Sequence, residues 1–292
     1  MTKTPTAQSR GRERATSDES PAPAVSTAAF ANILCAVDGT HASTAAVKMA
    51  VCLAGPGGHL TLLAVTAESG FGPYATANIS PGRVKHVLSR ATRIADDAGV
   101  SSTTVVDPGS PPVKVILERA CDHDLLAIGA PASSWLGRML IGGVAATVLS
   151  EFTTPVLFVR RSFTGSLHGR QILVASDGQE GSDQIVELAG RLGLSQDADV
   201  TLVHALGLES RVRPRHIEAQ ARSLQAMLSR SGAACIEPGK VWDVILDAAK
   251  STKAAIVVIG SRQLGGLRAF GSVSRRVVHD APCAVLLLPP KR

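Results

Sequence analysis

The amino-acid sequence predicts a doubly wound α/β fold that occurs twice in tandem, and two observations lead to this prediction. The segment ILCAVDGT at Ile33 to Thr40 recurs as ILVASDGQ at Ile172 to Gln179, and later segments recur in the same order. Between these segments, apolar runs alternate with stretches whose apolar residues repeat at helical spacing. A repeat of about 130 residues has the size of an autonomous domain rather than of a solenoid unit.

The recurring segments set the expected domain boundaries. The later matching pairs are LTLLAV (from Leu60) and VTLVHA (from Val200), LLAIGA (from Leu125) and IVVIGS (from Ile256), GGVAAT (from Gly142) and GSVSRR (from Gly271), and PVLFV (from Pro155) and AVLLL (from Ala284). We expect copy one at residues 30–161 and copy two at 170–292, with a linker at 162–169 rich in Gly and Ser. Residues 1–29 are rich in Ser, Thr, Ala and Pro without apolar periodicity, which predicts a disordered tail.

Each copy is expected to follow the order β-α-β-α-β-α-β-α-β, with strands buried on both faces. The runs LLAIG and IVVIG are apolar at nearly every position, which is typical of a parallel sheet covered by helices on both sides. Helical spacing is carried in copy one by patterns beginning at Val47, Val84 and Val113, and in copy two by patterns beginning at Ile185, Ile217 and Val241. Ser43 and Ser182 precede the first helical pattern of each copy and are expected to be N-caps.

Composition and charge narrow the class of protein. A chain of 292 residues with 45% hydrophobic residues is able to bury two ordinary cores. Its apolar runs are too short to span a membrane, and its N-terminus lacks a secretory signal, so we expect no membrane association and a cytoplasmic location. The net charge is +6, yet the basic residues are dispersed and aromatic residues make up 3%, which argues against nucleic-acid binding.

The cysteine pattern agrees with a reducing compartment. The five cysteines form no CxxC pair and are expected to be small, mostly buried hydrophobes: Cys35, Cys52, Cys121, Cys235 and Cys283. The histidines are scattered, with no HExxH or GxSxG motif, so metal catalysis and serine hydrolysis lack support. His41 and His204 fall near expected strand ends, where a lone histidine is more often solvated or packed than a ligand. We therefore expect no enzymatic activity.

Candidate ligand residues follow the expected strands. Open parallel sheets bind ligands beyond the carboxyl ends of their strands, and the first strand of each copy ends in Asp-Gly, at Asp38 and at Asp177. A turn or capping role is the alternative for either aspartate, and recurrence in both copies favours a functional one. In copy two, Gly260 to Arg262 ends the fourth strand and Gly271 to Ser274 opens the last helix, an arrangement whose N–H groups and hydroxyls suit a phosphate. It is not a Walker loop, because GxxxxGK[ST] is absent.

Together these segments resemble the universal stress protein family in its tandem two-domain form. The residues that carry the resemblance are the strand ends VDG and SDG, the later IGA and IGS, the GSVS helix start and the closing PVLFV and AVLLL strands, and it covers everything except the tail. The resemblance implies a sheet of order 3-2-1-4-5 in each copy. It also implies that the fifth strands, Val156 to Val159 and Val285 to Leu288, pair as an intramolecular pseudo-dimer, with a further homodimer left open.

In nucleotide-binding members of that family, the phosphate-binding motif resembles G-x2-G-x9-G-(S/T). Both copies of this chain depart from that motif. In copy two Gln263 stands at the second glycine and the following stretch is two residues short. In copy one the length is kept, but Ala132 replaces the second glycine and Gly143 replaces the hydroxyl residue, with Pro131 before them. Copy two therefore retains more phosphate-binding chemistry.

The resemblance further implies a set of nucleotide-binding residues. Asp38 and Asp177 would meet the adenine or ribose, and Val65 and Ala205 would line the base pocket. The full expected set is Asp177, Ala205, Gly260, Arg262, Gly271, Ser272, Val273 and Ser274 in copy two, and Asp38, Val65, Gly129, Gly142, Gly143 and Val144 in copy one.

The expected function is that of a stress-response regulator that binds an adenine nucleotide, ATP with or without Mg²⁺, chiefly in copy two. One alternative is a nucleotide-independent interaction module, supported by the departures at Ala132 and Gln263. The other is a slow ATPase, for which the sequence supplies no base beyond the strand-end aspartates.

Overall fold

The structure is a computed structural model, and it describes most of the two copies. The described residues are 29–66, 79, 81–108, 111–130, 147–149, 151–160, 163, 165–206, 214–228, 233–261 and 272–289. The tail that the sequence predicts to be disordered lies, up to residue 28, outside them.

Copy one has the expected alternation of strands and helices. Its elements are β1 (Asn32–Ala36), α1 (His41–Ala54), β2 (His59–Val65), α2 (Pro81–Asp97), β3 (Ser101–Asp107), α3 (Pro112–Ala120), β4 (Leu125–Gly129) and β5 (Val156–Val159). Residues 147–149 and 151, before β5, are helical. Pro112 at the start of α3 suits the first turn of a helix, where its missing N–H has no partner to lose.

Copy two repeats the same order. Its elements are β6 (Gln171–Ala175), α4 (Asp183–Gln196), β7 (Asp199–Leu206), α5 (Pro214–Leu228), β8 (Ala233–Pro238), α6 (Val241–Ser251), β9 (Ile256–Gly260), α7 (Ser272–Asp280) and β10 (Ala284–Leu288). A short 3₁₀ turn, Glu180–Ser182, precedes α4.

The ten strands form one continuous sheet whose two halves have the expected topology. The strand order is β3-β2-β1-β4-β5-β10-β9-β6-β7-β8. Each half is parallel with the order 3-2-1-4-5, as predicted, and the fifth strands β5 and β10 pair antiparallel, with Leu157 opposite Leu286. The two copies are therefore joined by backbone hydrogen bonds at the centre of the sheet.

Helices cover both faces of this sheet and bury two hydrophobic layers. One layer lies between the sheet and α1, α2, α4 and α5, and includes Ile33, Met49 and Leu224. The other lies on the opposite face under α3, α6 and α7, and includes Leu34 and Ile245. Adjacent strand residues thus point to opposite layers, which explains why the strands are apolar throughout.

The start of α1 differs from the expectation. Thr40 is the N-cap, and its side-chain oxygen accepts a hydrogen bond from the Ser43 N–H at 3.1 Å. Ser43 was predicted to be the cap, but it lies within the first turn, where its hydroxyl donates to Thr40 O. In copy two Ser182 does precede α4, yet its side chain makes no capping bond and donates instead to Gln179 O.

Arg160, directly after β5, contacts copy two as well. Its guanidinium donates to the carbonyls of Val278 and His279 in the last turn of α7, at 2.8 Å to Val278. Burial lowers the pKa of Arg160, while nearby Asp280 acts in the opposite direction. A cation at the carboxyl end of a helix is favourable, so this contact adds to the pairing of the two halves.

Within the described part of the chain, no helix is long and apolar enough to cross a membrane.

Candidate functional site

The carboxyl ends of neighbouring strands bring several of the predicted residues together. In copy two, Ala175 pairs with Ile259 of β9 and with Val203 of β7. Asp177 therefore follows its strand at the same sheet edge as Gly260 and Ala205. Copy one places Asp38 in the same way beside Gly129 and Val65.

The two aspartates form matching turns. Asp38 Oδ1 accepts a hydrogen bond from the Thr40 N–H at 2.8 Å, and Asp177 Oδ1 accepts one from the Gln179 N–H at 2.9 Å. The following glycines have φ values of 81° and 70°, a conformation that glycine adopts without strain. Each half-buried carboxylate thus shapes the loop at the strand end.

Gly129 and Gly260 end β4 and β9, where the first helix of each copy passes closely. A Cβ at position 129 would lie 2.4 Å from Ser43 N, so the backbone of α1 occupies that space. Among the described residues, a Cβ at position 260 would meet the side chain of Ile185, with its Cδ1 tip at 2.4 Å. Glycine at 129 is therefore explained by helix packing alone, whereas the packing constraint at 260 is softer.

The first turn of α7 is tied to the end of β9. The Ser274 hydroxyl donates to Gly260 O at 2.9 Å, and Ser274 is 4% exposed. Ser272 is exposed and Val273 is half-buried at the helix start. The amino end of α7, with its N–H groups and positive dipole, therefore lies at the same sheet edge as Asp177.

The two residues expected to line a base pocket are buried in the core. Val65 is 5% exposed and Ala205 is 8% exposed, and both belong to the layer under α3, α6 and α7. They are placed at the expected strand ends, with little surface of their own.

Five predicted site residues lie outside the described residues: Arg262, Gly271, Gly142, Gly143 and Val144. The positions of the motif departures, Pro131, Ala132 and Gln263, lie outside them as well.

Sequence reasoning missed a buried polar cluster beside Asp177. Ser176, His204 and Gln220 are 6%, 4% and 5% exposed and are connected by hydrogen bonds. The sequence signal for this cluster was that copy two has a polar residue at three positions where copy one has an apolar residue. His41, the other histidine near a strand end, is exposed.

Copy one has two concave features near its strand ends. A cavity of about 100 Å³ lies between the Gly39 turn and α2, and its lining includes Val37, Val87 and Arg83. A larger groove of about 770 Å³ lies between α2 and the edge strand β3, and Lys85 and Arg93 are among the residues that line it. None of the predicted nucleotide-binding residues lines either feature.

The cysteines fit their predicted role with one correction. All five are free, Cys35 and Cys283 are buried, and Cys52 and Cys235 are half-buried. Cys121 is exposed, contrary to expectation, because it follows the end of α3 at the surface. Burial raises the pKa of Cys52 to about 11 and that of Cys283 to about 12, so these thiols stay protonated at neutral pH. Across the part of the chain described, no group of three or more His, Cys, Asp or Glu side chains is placed to hold a metal ion.

Comparison with known proteins agrees with this geometry. The universal stress protein family matches residues 29–160 and again residues 169–289. A universal stress protein from Thermus aquaticus is 32% identical over 136 residues, which span 41% of this chain and 98% of that protein.

Two of the solved structures that are similar share the fold over most of this chain. A universal stress protein from Archaeoglobus fulgidus DSM 4304 is 19% identical, with a TM-score of 0.73 over 88% of this chain and 98% of that one. A functionally unknown protein from Pseudomonas aeruginosa PAO1 is also 19% identical, with a TM-score of 0.67 over 90% of this chain and 94% of that one.

The fold and the strand-end turns define a tandem α/β protein whose two copies form one sheet through their fifth strands. The chain belongs to the universal stress protein family, in its two-domain form. The resemblance inferred from the sequence is thereby confirmed.

Proposed function

We propose that this protein binds an adenine nucleotide, ATP with or without Mg²⁺, chiefly in copy two, and that it acts as a regulator in a stress response. The observation that carries the proposal is the meeting of Asp177, Gly260 and the first turn of α7 at one sheet edge. Family membership supports the regulatory role, and the proposal is one of binding without turnover.

The chemistry of this edge suits a nucleotide. The Asp177 carboxylate can accept hydrogen bonds from ribose hydroxyls or from the adenine amino group. The amino end of α7 offers N–H groups and a positive dipole to a phosphate, and the exposed Ser272 hydroxyl can add a hydrogen bond. In the sequence of copy one, Gly143 stands at the position of Ser272 and has no hydroxyl.

A cytoplasmic location is part of the proposal. It is supported by the five free cysteines, since thiols persist in reducing compartments. A homodimer in addition to the internal pairing of copies is left to measurement.

Calorimetric titration of the full chain with ATP and Mg²⁺ tests the proposal. The variants are Asp177→Asn and, as the matched control, Asp38→Asn. Asparagine keeps a side-chain oxygen that accepts the turn hydrogen bond but removes the charge. We expect Asp177→Asn to lose about tenfold or more in affinity, the effect of weakening a charged hydrogen bond, and Asp38→Asn to change it little.

Three results would count against the proposal. No heat with the wild-type chain would end the nucleotide assignment and favour the interaction module. Equal losses in the two variants would show that both copies bind and would overturn the preference for copy two. Release of phosphate during the titration would instead support the ATPase.

A further inference from the structure

The buried side chains beneath the Asp-Gly turn are polar in copy two and apolar in copy one. The registers of the paired strands place Ser176 where copy one has Val37, and His204 where copy one has Ala64. Gln220 corresponds to Val87, since each follows a buried residue of the second helix, Ile217 or Val84, by three positions. Val37, Ala64 and Val87 are 4%, 0% and 6% exposed, so copy one fills with apolar groups the space where copy two has a polar cluster.

Ser176 and Gln220 connect the turn to α4. Ser176 Oγ accepts a hydrogen bond from the Gly178 N–H at 3.0 Å and donates one to Gln220 Oε1 at 2.6 Å. Gln220 Nε2 in turn donates to Ser182 Oγ at 3.1 Å and to Asp183 Oδ1 at 2.6 Å. One side of the Asp177 turn is therefore bonded to the start of α4 through α5.

His204 contacts the backbone of Ser176, whose side chain bonds to Gly178 and Gln220. Its Nδ1 lies 2.9 Å from the Ser176 carbonyl oxygen, which can only accept, so Nδ1 carries the hydrogen. In the neutral ring Nε2 is then an acceptor, and this buried atom has no hydrogen-bond partner among the described residues. An unsatisfied buried acceptor is destabilising, so a side chain chosen for stability alone would be apolar, as Ala64 is in copy one.

We propose that Ser176, His204 and Gln220 are positioning residues that hold the Asp177–Gly178 turn ready for the nucleotide and so make copy two the tighter site. The proposal rests on the function proposed above. The buried Gly178 N–H has the Ser176 hydroxyl as its partner only while the turn keeps this conformation, so a displaced turn would lose this hydrogen bond. A turn fixed in advance loses less conformational entropy when a ligand binds.

The test compares two nearly isosteric substitutions in the full chain. Ser176→Thr keeps the hydroxyl, whereas Ser176→Val removes it and introduces the residue type that copy one carries at the same place. Two quantities are measured: ATP affinity by calorimetry, and amide hydrogen exchange at Gly178. Exchange at Val174 in β6 and the circular dichroism spectrum report whether the fold is intact.

We expect Ser176→Val to weaken ATP binding about tenfold and to speed amide exchange at Gly178, without changing the exchange rate at Val174. In Ser176→Thr, the ATP affinity and the exchange rate at Gly178 should stay close to those of the wild type. If Ser176→Val does not fold, Gln220→Val, which corresponds to Val87, gives the same reading. As the reciprocal control, Val37→Thr leaves copy two unchanged and should not alter its affinity.

The outcomes separate the two proposals. Equal ATP affinity in the Val and Thr variants, with a binding wild-type chain, would overturn the positioning role and leave the nucleotide site standing. A wild-type chain that binds no ATP would end the proposed function. In that case the amide exchange at Gly178 tests whether Ser176 positions the turn. Faster exchange in Ser176→Val but not in Ser176→Thr would support this role, and unchanged exchange in both variants would refute it.

Discussion

Gly129 and Gly260 occupy the same place in the two copies for different physical reasons. At Gly129 the space that a side chain would need is filled by α1 backbone, including Ala42 C at 2.6 Å from an added Cβ. At Gly260 it is filled by the flexible tip of Ile185. The family motif alone would assign both glycines to phosphate binding, whereas the packing shows that Gly129 is needed for the fold in any case.

Substitution of the two glycines by alanine should therefore lower stability by different amounts. Gly129→Ala should lower the free energy of unfolding by about 1–3 kcal/mol, the range for overpacking, because helix backbone cannot yield as a side-chain tip does. Gly260→Ala should lower it by less, because Ile185 can change rotamer. Urea unfolding of the two variants beside the wild-type chain measures the difference, and equal losses would show that α1 is free to shift.

The sequence offers two possible capping residues at the beginning of α1. Thr40 and Ser43 are both capping residue types three positions apart, and the apolar pattern of the helix fits either start. The structure selects Thr40 because its extended backbone lets the side chain reach the Ser43 N–H.

Thr40→Ala should destabilise copy one by about 1 kcal/mol, since a helix N–H loses its capping partner. Thr44→Ala is the control four residues on: its hydroxyl donates to Thr40 O inside the helix, and alanine is the better helix former. We expect Thr44→Ala to leave stability unchanged or slightly raised. Thermal unfolding of both variants provides the measurement, and a loss at Thr44 equal to that at Thr40 would contradict the cap assignment.

The strands and helices were predictable from sequence because burial on both faces leaves long apolar runs, as in LLAIG and IVVIG. The duplicated Asp-Gly was equally visible, since a turn and its glycine are neighbours in the chain. The cluster beside it was not. Ser176, His204 and Gln220 come from three separate elements, and each alone resembles an ordinary polar residue at the end of a strand or on a helix.

The antiparallel pairing of β5 and β10 joins the two copies. Leu157 and Leu286 lie opposite each other and are fully buried, and Arg160 reaches from copy one to the last turn of α7. The position after β10 is Pro289, which has no comparable side chain to offer copy one. The junction is thus symmetric in its backbone and asymmetric in its side chains.

This junction should hold the two copies together without the covalent linker. A specific protease site inserted between Gly165 and Ser166, both exposed, allows the chain to be cut after folding. We expect the two fragments to elute from a sizing column as one species, because separation would expose the buried strands β5 and β10 and break their hydrogen bonds. Leu286→Asp places a charge in this buried pair and should divide the cut protein into two species or unfold copy two. Separation of the cut parent chain under the same conditions would instead mean that the linker, and not the sheet, keeps the copies together.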